Sequence, residues 1–389
     1  MHLSQSSKLI RGNMKKFSLY IHIPFCVSKC SYCDFCSFVP SADMMRSYVS
    51  ALKEEIEAKG KEYAGRRVYT VYIGGGTPSF LPLGAITEIM DEVRQNFDLS
   101  ECESVTIEAN PNSFNFDKAK EYAACGCDRV SFGLQAIEPT HLSLLNRKHD
   151  FADCVRAVEY ARSCGITDIN IDIMLGIPTQ TIFDVKNLID AVLTLPITHI
   201  SAYSLINEPN TPLTRKIEAG ELIEPDQLDV VNMYDFAVDY LAKFGFARYE
   251  ISNFAKLGYE SKHNLNYWHR GEYLGLGLAA YSFVNGVHWE NVANLGEYVA
   301  NPTRASINVE KETLTTAKEE FIMLALRTAR GLDIAEYERQ FGVDFLTENC
   351  RGINYLCNVA KLLKIENGYA VATDFYMTNT IISKLFEFK

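Results

Sequence analysis

The chain has 389 residues, 47% hydrophobic and 12% aromatic, enough for a large core and more than one ordinary domain. Its formal charge of −11, from 38 Lys and Arg against 49 Asp and Glu, excludes a broad basic face of the kind that holds nucleic acid. Eleven cysteines without a repeating framework, and no apolar stretch long enough to span a bilayer, exclude a disulfide scaffold and a transmembrane segment and indicate the cytoplasm.

Residues 1–13 are polar and precede Met14-Lys-Lys, so they are expected to be a flexible extension or the product of an upstream start. From there apolar, β-branched runs recur at 17–23, 68–73, 104–109, 128–133, 168–174 and 198–204. Helical periodicity fills the intervals at about 43–59, 84–96, 116–124, 151–163, 183–194 and 226–244, several opened by Ser, Thr or Asp. Six β/α units predict an α/β fold with a parallel sheet, a partial barrel or a doubly wound sheet, with its site at the carboxyl ends of the strands. Past residue 310 the pattern turns helical: helices at about 316–330 and 345–362, a hairpin-like stretch over 363–372 and a last helix. This predicts a main domain over 14–310 and a smaller, winged-helix-like domain over 311–389. With few basic residues, the latter reads as a lid or docking surface.

Cys26, Cys30 and Cys33 form a C-x3-C-x2-C loop just after the first predicted strand. Three thiolates on one tight turn suit three irons of a [4Fe–4S] cube, whose fourth iron then stays open to a small molecule. Zinc is the alternative on spacing alone, with Cys36 or His22 as a fourth ligand. Cys36 otherwise reads as a small buried residue, and Cys102, Cys125, Cys127, Cys154, Cys164, Cys350 and Cys357 as core residues.

Polar residues then fall where successive strand patterns end. The second is followed by Gly74-Gly75-Gly76-Thr77-Pro78-Ser79, where missing side chains admit a ligand close to the backbone. Glu108 closes the third, Gln135 follows the fourth and Asp172 lies in the fifth. A buried acid costs several kcal/mol unless hydrogen-bonded or paired, so together these residues read as a polar cup facing the cysteine loop.

With Tyr20-Ile-His-Ile-Pro upstream, Arg147, and His263-Asn264-Leu-Asn-Tyr267-Trp268 downstream, the sequence resembles the HemW branch of the coproporphyrinogen dehydrogenase-like radical S-adenosylmethionine (SAM) proteins. The resemblance runs from Tyr20 to about residue 290. It implies a partial (β/α)6 barrel of TIM type with a C-terminal helical domain, and a [4Fe–4S] cluster on Cys26, Cys30 and Cys33. It further implies that Tyr20 and Tyr32 flank SAM and that Gly75, Gly76 and Thr77 meet its methionyl end. Glu108, Gln135 and Asp172 would hydrogen-bond its polar groups, and Arg147 would pair with its carboxylate. In such proteins one electron from the cluster splits the sulfonium into methionine and a 5′-deoxyadenosyl radical.

The dehydrogenases of this superfamily carry a further cysteine two residues after the third cluster cysteine and a covering N-terminal segment. Here Asp34 and Phe35 follow Cys33, Cys36 comes one place later, and the leader is short. These departures imply a heme-binding chaperone that hands heme to respiratory and other hemoproteins and takes electrons from a donor. Oxygen-independent coproporphyrinogen III oxidase is the alternative, and a tRNA-modifying enzyme lacks its basic module here. His263, Asn264, Tyr267 and Trp268 are the implied heme contacts, an axial imidazole beside two aromatic faces. They also read as a hydrogen-bonded loop histidine beside packed aromatics. Tyr281 stands where family members commonly have a histidine.

Overall fold

The computed structural model describes residues 16–388, so the expected extension over 1–13 lies outside the described residues. Six strands, β1 (Phe17–Ile23), β2 (Val68–Gly75), β3 (Ser104–Ala109), β4 (Arg129–Gln135), β5 (Asp168–Leu175) and β6 (His199–Ser204), pair in parallel in chain order. Alternation sorts their side chains: in β1, Phe17, Leu19, Ile21 and Ile23 enter the hydrophobic core, whereas Ser18, Tyr20 and His22 join polar contacts. Helices Ala42–Glu62, Ala85–Asn96, Phe116–Ala124, Phe151–Ser163 and Ile182–Leu193 follow the first five strands in turn. Several start where the sequence supplies a cap: Ser41 accepts from the Met44 amide, and Asp150 and Thr181 form capping boxes with Asp153 and Asp184.

The sheet continues past the six expected strands. Beyond β6 and helix Gln227–Ala242, β7 (Ala247–Arg248) and β8 (Asn253–Ala255) add antiparallel. On the other edge β9 (Tyr273–Leu276) pairs in parallel with β1, and β10 (Tyr281–Val284), β11 (Val287–Asn291) and β12 (Ser306–Lys311) extend it antiparallel. The result is a twelve-stranded sheet with the barrel strands at its centre.

The C-terminal residues gather a second core, in which Phe321, Tyr337, Phe345, Leu356 and Ile381 are buried. The helix expected at about 316–330 is Leu314–Ala325. The helix expected at about 345–362 is broken. Phe345–Glu348 ends where the Asn349 side chain donates to the Phe345 carbonyl (3.0 Å), Cys350–Asn354 follows, and Tyr355–Ala360 is a π-helical turn. Strands β13 (Leu332–Asp333), β14 (Leu363–Glu366) and β15 (Tyr369–Ala372) form a small sheet. Its hairpin turns on Asn367-Gly368, both with positive φ (50° and 83°), as a tight two-residue turn requires. Helix Thr378–Glu387 closes the unit. No helix among the described residues is long and apolar enough to cross a membrane.

Candidate cofactor site

A cavity of about 500 Å³ opens at the carboxyl ends of β2 to β6, against the cysteine loop that follows β1. The loop is pinched at its base, where the Cys26 amide donates to the Phe38 carbonyl (2.9 Å) and the Phe38 amide to the Pro24 carbonyl (2.8 Å). Cys26, Cys30 and Cys33 face the cavity as free thiols. Burial raises the Cys26 and Cys33 thiols above their usual range, partly offset at Cys26 by the Thr77 hydroxyl 3.5 Å from its sulfur.

Both fourth ligands considered for zinc are turned elsewhere. The Cys36 sulfur lies 3.7 Å from the Ala293 carbonyl and does not line the cavity. His22 donates through Nε2 to the Cys36 carbonyl (2.9 Å) and accepts the Tyr20 hydroxyl at Nδ1 (3.0 Å), so neither ring nitrogen is free. Among the described residues, the three-donor set that closes within 4.8 Å is His288, Glu312 and Glu320, not the cysteine loop.

The glycine run lies directly against this loop. The Gly76 amide donates to Ile23 O and the Thr77 amide to Phe25 O, each at 2.8 Å. A Cβ at Gly76 would fall 2.8–2.9 Å from those same carbonyls, and one at Gly75 (φ +111°) would strike the His22 ring at 2.4 Å. Only glycine lets these two chain segments approach so closely.

Glu108 and Asp172 form the acidic part of the cup. Glu108 accepts the Tyr72 hydroxyl (2.7 Å) and the Gly75 amide (3.0 Å), and burial raises its pKa to about 7. Asp172 accepts from Asn170 Nδ2 (2.7 Å) and Ser131 Oγ (3.4 Å), and burial raises it as well. Gln135 sits where the β4/β5 register slips, in left-handed backbone (φ 69°) that a glutamine rarely adopts, with Tyr203 donating to its Oε1 at 2.7 Å. Such local strain persists where the surroundings over-determine it, commonly at functional sites. Arg147 reaches across, with Nη1 3.5 Å from the Cys30 sulfur and Nη2 bonded to the Gly133 carbonyl. Its Nε is buried without a partner, a donor disposed toward an anionic ligand. Tyr32 packs against Ala136, Leu142 and Met174 at the same wall.

One cavity therefore gathers Cys26, Cys30, Cys33, Tyr32, Gly75, Gly76, Thr77, Glu108, Gln135, Arg147, Asp172 and Asn264. Tyr20 does not line it; its ring stacks behind Tyr72 at 6.2 Å. The expected heme loop is a short helix, Lys262–Trp268, with His263 only 2% exposed. The His263 Nδ1 lies 2.8 Å from Thr70 Oγ1 and its Nε2 2.9 Å from the Tyr267 hydroxyl, and burial lowers its pKa to about 3. Both ring nitrogens of this buried imidazole are therefore engaged, by Thr70 and by Tyr267. Trp268 is half-buried outside the cavity lining, and Tyr281 is exposed on β10. The cup also contains residues missed in the sequence: Tyr72, Ser131, Asn170, His199, Ser201 and Tyr203. Each stands an even number of places from a strand residue already singled out or from another of the six, so period-two alternation was the available signal.

The fold is that of a radical SAM protein: residues 20–192 match the Radical SAM superfamily and residues 313–349 match the HemN C-terminal domain. Heme chaperone HemW of Lactococcus lactis is 32% identical, with 95% of this chain and 97% of that protein covered. The Bacillus subtilis HemW is 34% identical (84% and 87% covered), and the Escherichia coli HemW 35% (69% and 70%). The chain belongs to the HemW family. The solved structure of coproporphyrinogen III oxidase (HemN) from Escherichia coli shares the fold, with a TM-score of 0.84 at 23% identity over 95% of this chain and 90% of that one.

Proposed function

We propose that the chain is a heme chaperone that carries a [4Fe–4S] cluster on Cys26, Cys30 and Cys33, binds SAM in the adjoining cup, and passes heme to recipient hemoproteins such as respiratory enzymes. The observation that carries the cofactor reading is the convergence in one cavity of three free thiols, an Arg147 Nε without a partner and the close-packed glycine run. When bound, the cluster supplies an electron to the sulfonium of SAM. The protein's own part is orientation: Arg147 faces the carboxylate end, Glu108 and Asp172 offer acceptors to cationic and hydroxyl groups, and Gly75 to Thr77 let the ligand approach the backbone.

The heme reading is supported by the HemW relatives, which are heme chaperones by name. It does not depend on His263. A cytoplasmic setting, an electron donor for the cluster, and a division into a barrel over 14–310 and a docking domain over 311–389 belong to the same proposal. The deciding experiment reconstitutes the protein anaerobically, titrates it with heme, and incubates it with SAM, reductant and coproporphyrinogen III. Stoichiometric heme binding without protoporphyrinogen IX is expected, and turnover that needs both SAM and Cys30 would overturn the chaperone reading.

A further inference from the structure

His263 is joined to the cup by a short series of contacts. Its ring stacks on Tyr72 with centroids 4.9 Å apart and planes 28° apart, and Tyr20 stacks on Tyr72 from another side at 6.2 Å and 27°. Thr70 uses its hydroxyl proton on Ser18 Oγ (2.8 Å), so its oxygen accepts from His263 Nδ1–H, and His263 Nε2 accepts the Tyr267 hydroxyl. The imidazole is thus one fixed tautomer, neutral and unable to rotate without losing both bonds. Held in this way, Tyr72 directs its hydroxyl onto Glu108 Oε1, whose other oxygen holds the Gly75 amide. Tyr72, Glu108 and Gly75 all line the cavity, and His263 does not.

We propose that His263 is a positioning residue of the SAM cup, which holds Tyr72 flat so that Glu108 and the glycine run keep the shape that receives the ligand. This rests on the SAM reading above. A floor of rings and hydrogen bonds is a rigid support, and a rigid support fixes the groups that touch a ligand. The residue acts through Tyr72 and touches no cofactor.

SAM affinity measured by calorimetry on the cluster-loaded protein tests it, with Arg147→Ala as the control for the SAM site. His263→Ala and Tyr72→Phe should each weaken binding about tenfold, the size of one hydrogen bond to a charged group, with iron content unchanged. The double variant should lose no more than His263→Ala, because both changes break one series of contacts. The pH dependence supplies a readout that a purely structural role would not move. Glu108 faces the Tyr72 hydroxyl and the Gly75 amide, with Asp172 as a like charge, the Tyr20 phenol nearby and Arg129 acting on Tyr72. Losing the Tyr72 hydroxyl raises Glu108 further, so the pH midpoint of SAM binding should move up in both variants. Unchanged affinity and midpoint in His263→Ala, while Arg147→Ala weakens binding, would overturn the inference alone. Unchanged affinity in Arg147→Ala would instead remove the SAM site on which it rests. An altered Soret band with SAM affinity intact in His263→Ala would also overturn it and return the residue to heme. If His263→Ala does not fold, Thr70→Val, which removes the hydroxyl that holds His263 Nδ1 and leaves Tyr72 and Glu108 in place, decides the outcome by the same two readouts.

Discussion

Arg147 Nη1 stands 3.5 Å from the sulfur of Cys30, a residue 117 positions earlier in the chain. The approach is built by the turn that carries the arginine. Asn146, in left-handed backbone (φ 55°), donates to the Lys29 carbonyl at 2.8 Å, and Ser31 bonds through its amide to Leu145 O (3.1 Å) and its hydroxyl to Leu144 O (2.5 Å). Residues 144–147 therefore grip the middle of the cysteine loop from the β4 side, as Gly76 and Thr77 grip its base. Gly133 completes the arrangement, since a Cβ there would lie 2.9 Å from Arg147 Nη2.

The cluster assignment makes the first prediction. Serine at Cys26, Cys30 or Cys33 should abolish the iron bound on anaerobic reconstitution, about four atoms per chain in the parent. Cys36→Ser should retain it, because that sulfur is directed at the Ala293 carbonyl. Iron analysis and EPR with added SAM are the measurements, and loss of iron in Cys36→Ser with retention in Cys33→Ser would contradict the assignment.

The cup makes the second. Arg147→Ala and Asp172→Ala should each weaken SAM binding by roughly 1.5–3 kcal/mol, the usual cost of one hydrogen bond to a charged group. Arg147→Lys should recover little, since an ammonium lacks the planar fork that lets separate N–H groups reach Gly133 O and a ligand carboxylate. Calorimetry on the iron-loaded variants decides it, and wild-type affinity in both alanine variants would refute these roles.

Gly76→Ala tests the close approach of strand and loop. Its methyl would meet the Phe25 and Ile23 carbonyls, which belong to backbone and cannot swing aside. A loss of about 1–3 kcal/mol in chemical denaturation and a looser cluster are expected, the range for overpacking at a filled position. Parent-like stability and iron retention would show that the segments can separate.

Glu55 provides a pH test away from the cup. It is fully buried, accepts from Tyr298 Oη (2.6 Å), Gly277 N (2.7 Å) and Asn291 Nδ2 (2.6 Å), and burial raises its pKa to about 7. A carboxyl whose pKa rises on folding adds stability that is complete below its unfolded pKa and is lost as pH climbs through the folded value. Between pH 4.5 and 7 that loss is on the order of 3 kcal/mol. Histidines 22, 149, 199, 263 and 269, all lowered by burial, titrate in the opposite sense nearby, so the informative quantity is a difference. The stability of Glu55→Gln relative to wild type should improve from pH 5 to about pH 7 and level off above it, and a pH-independent difference would exclude the buried ionisation.

Much of this was legible in the chain itself because the signals are local. Apolar, β-branched runs mark β1 to β6, caps such as Asp150 and Thr181 mark helix starts, and the spacing of Cys26, Cys30 and Cys33 confines three thiols to one turn whatever the rest of the chain does. Polar residues at strand ends share one mouth in a parallel sheet, so Glu108, Gln135 and Asp172 were readable as a cup. Tertiary structure decided what depends on partners distant in sequence. β9 joins β1 through partners 255 positions apart, Cys36 turns to Ala293, and His263 closes on Thr70 and Tyr72 inside the barrel. A six-residue motif specifies an imidazole and two aromatic rings. Whether they face a porphyrin or fill a floor is set by which strands stand opposite, and pattern along one segment carries no information about that.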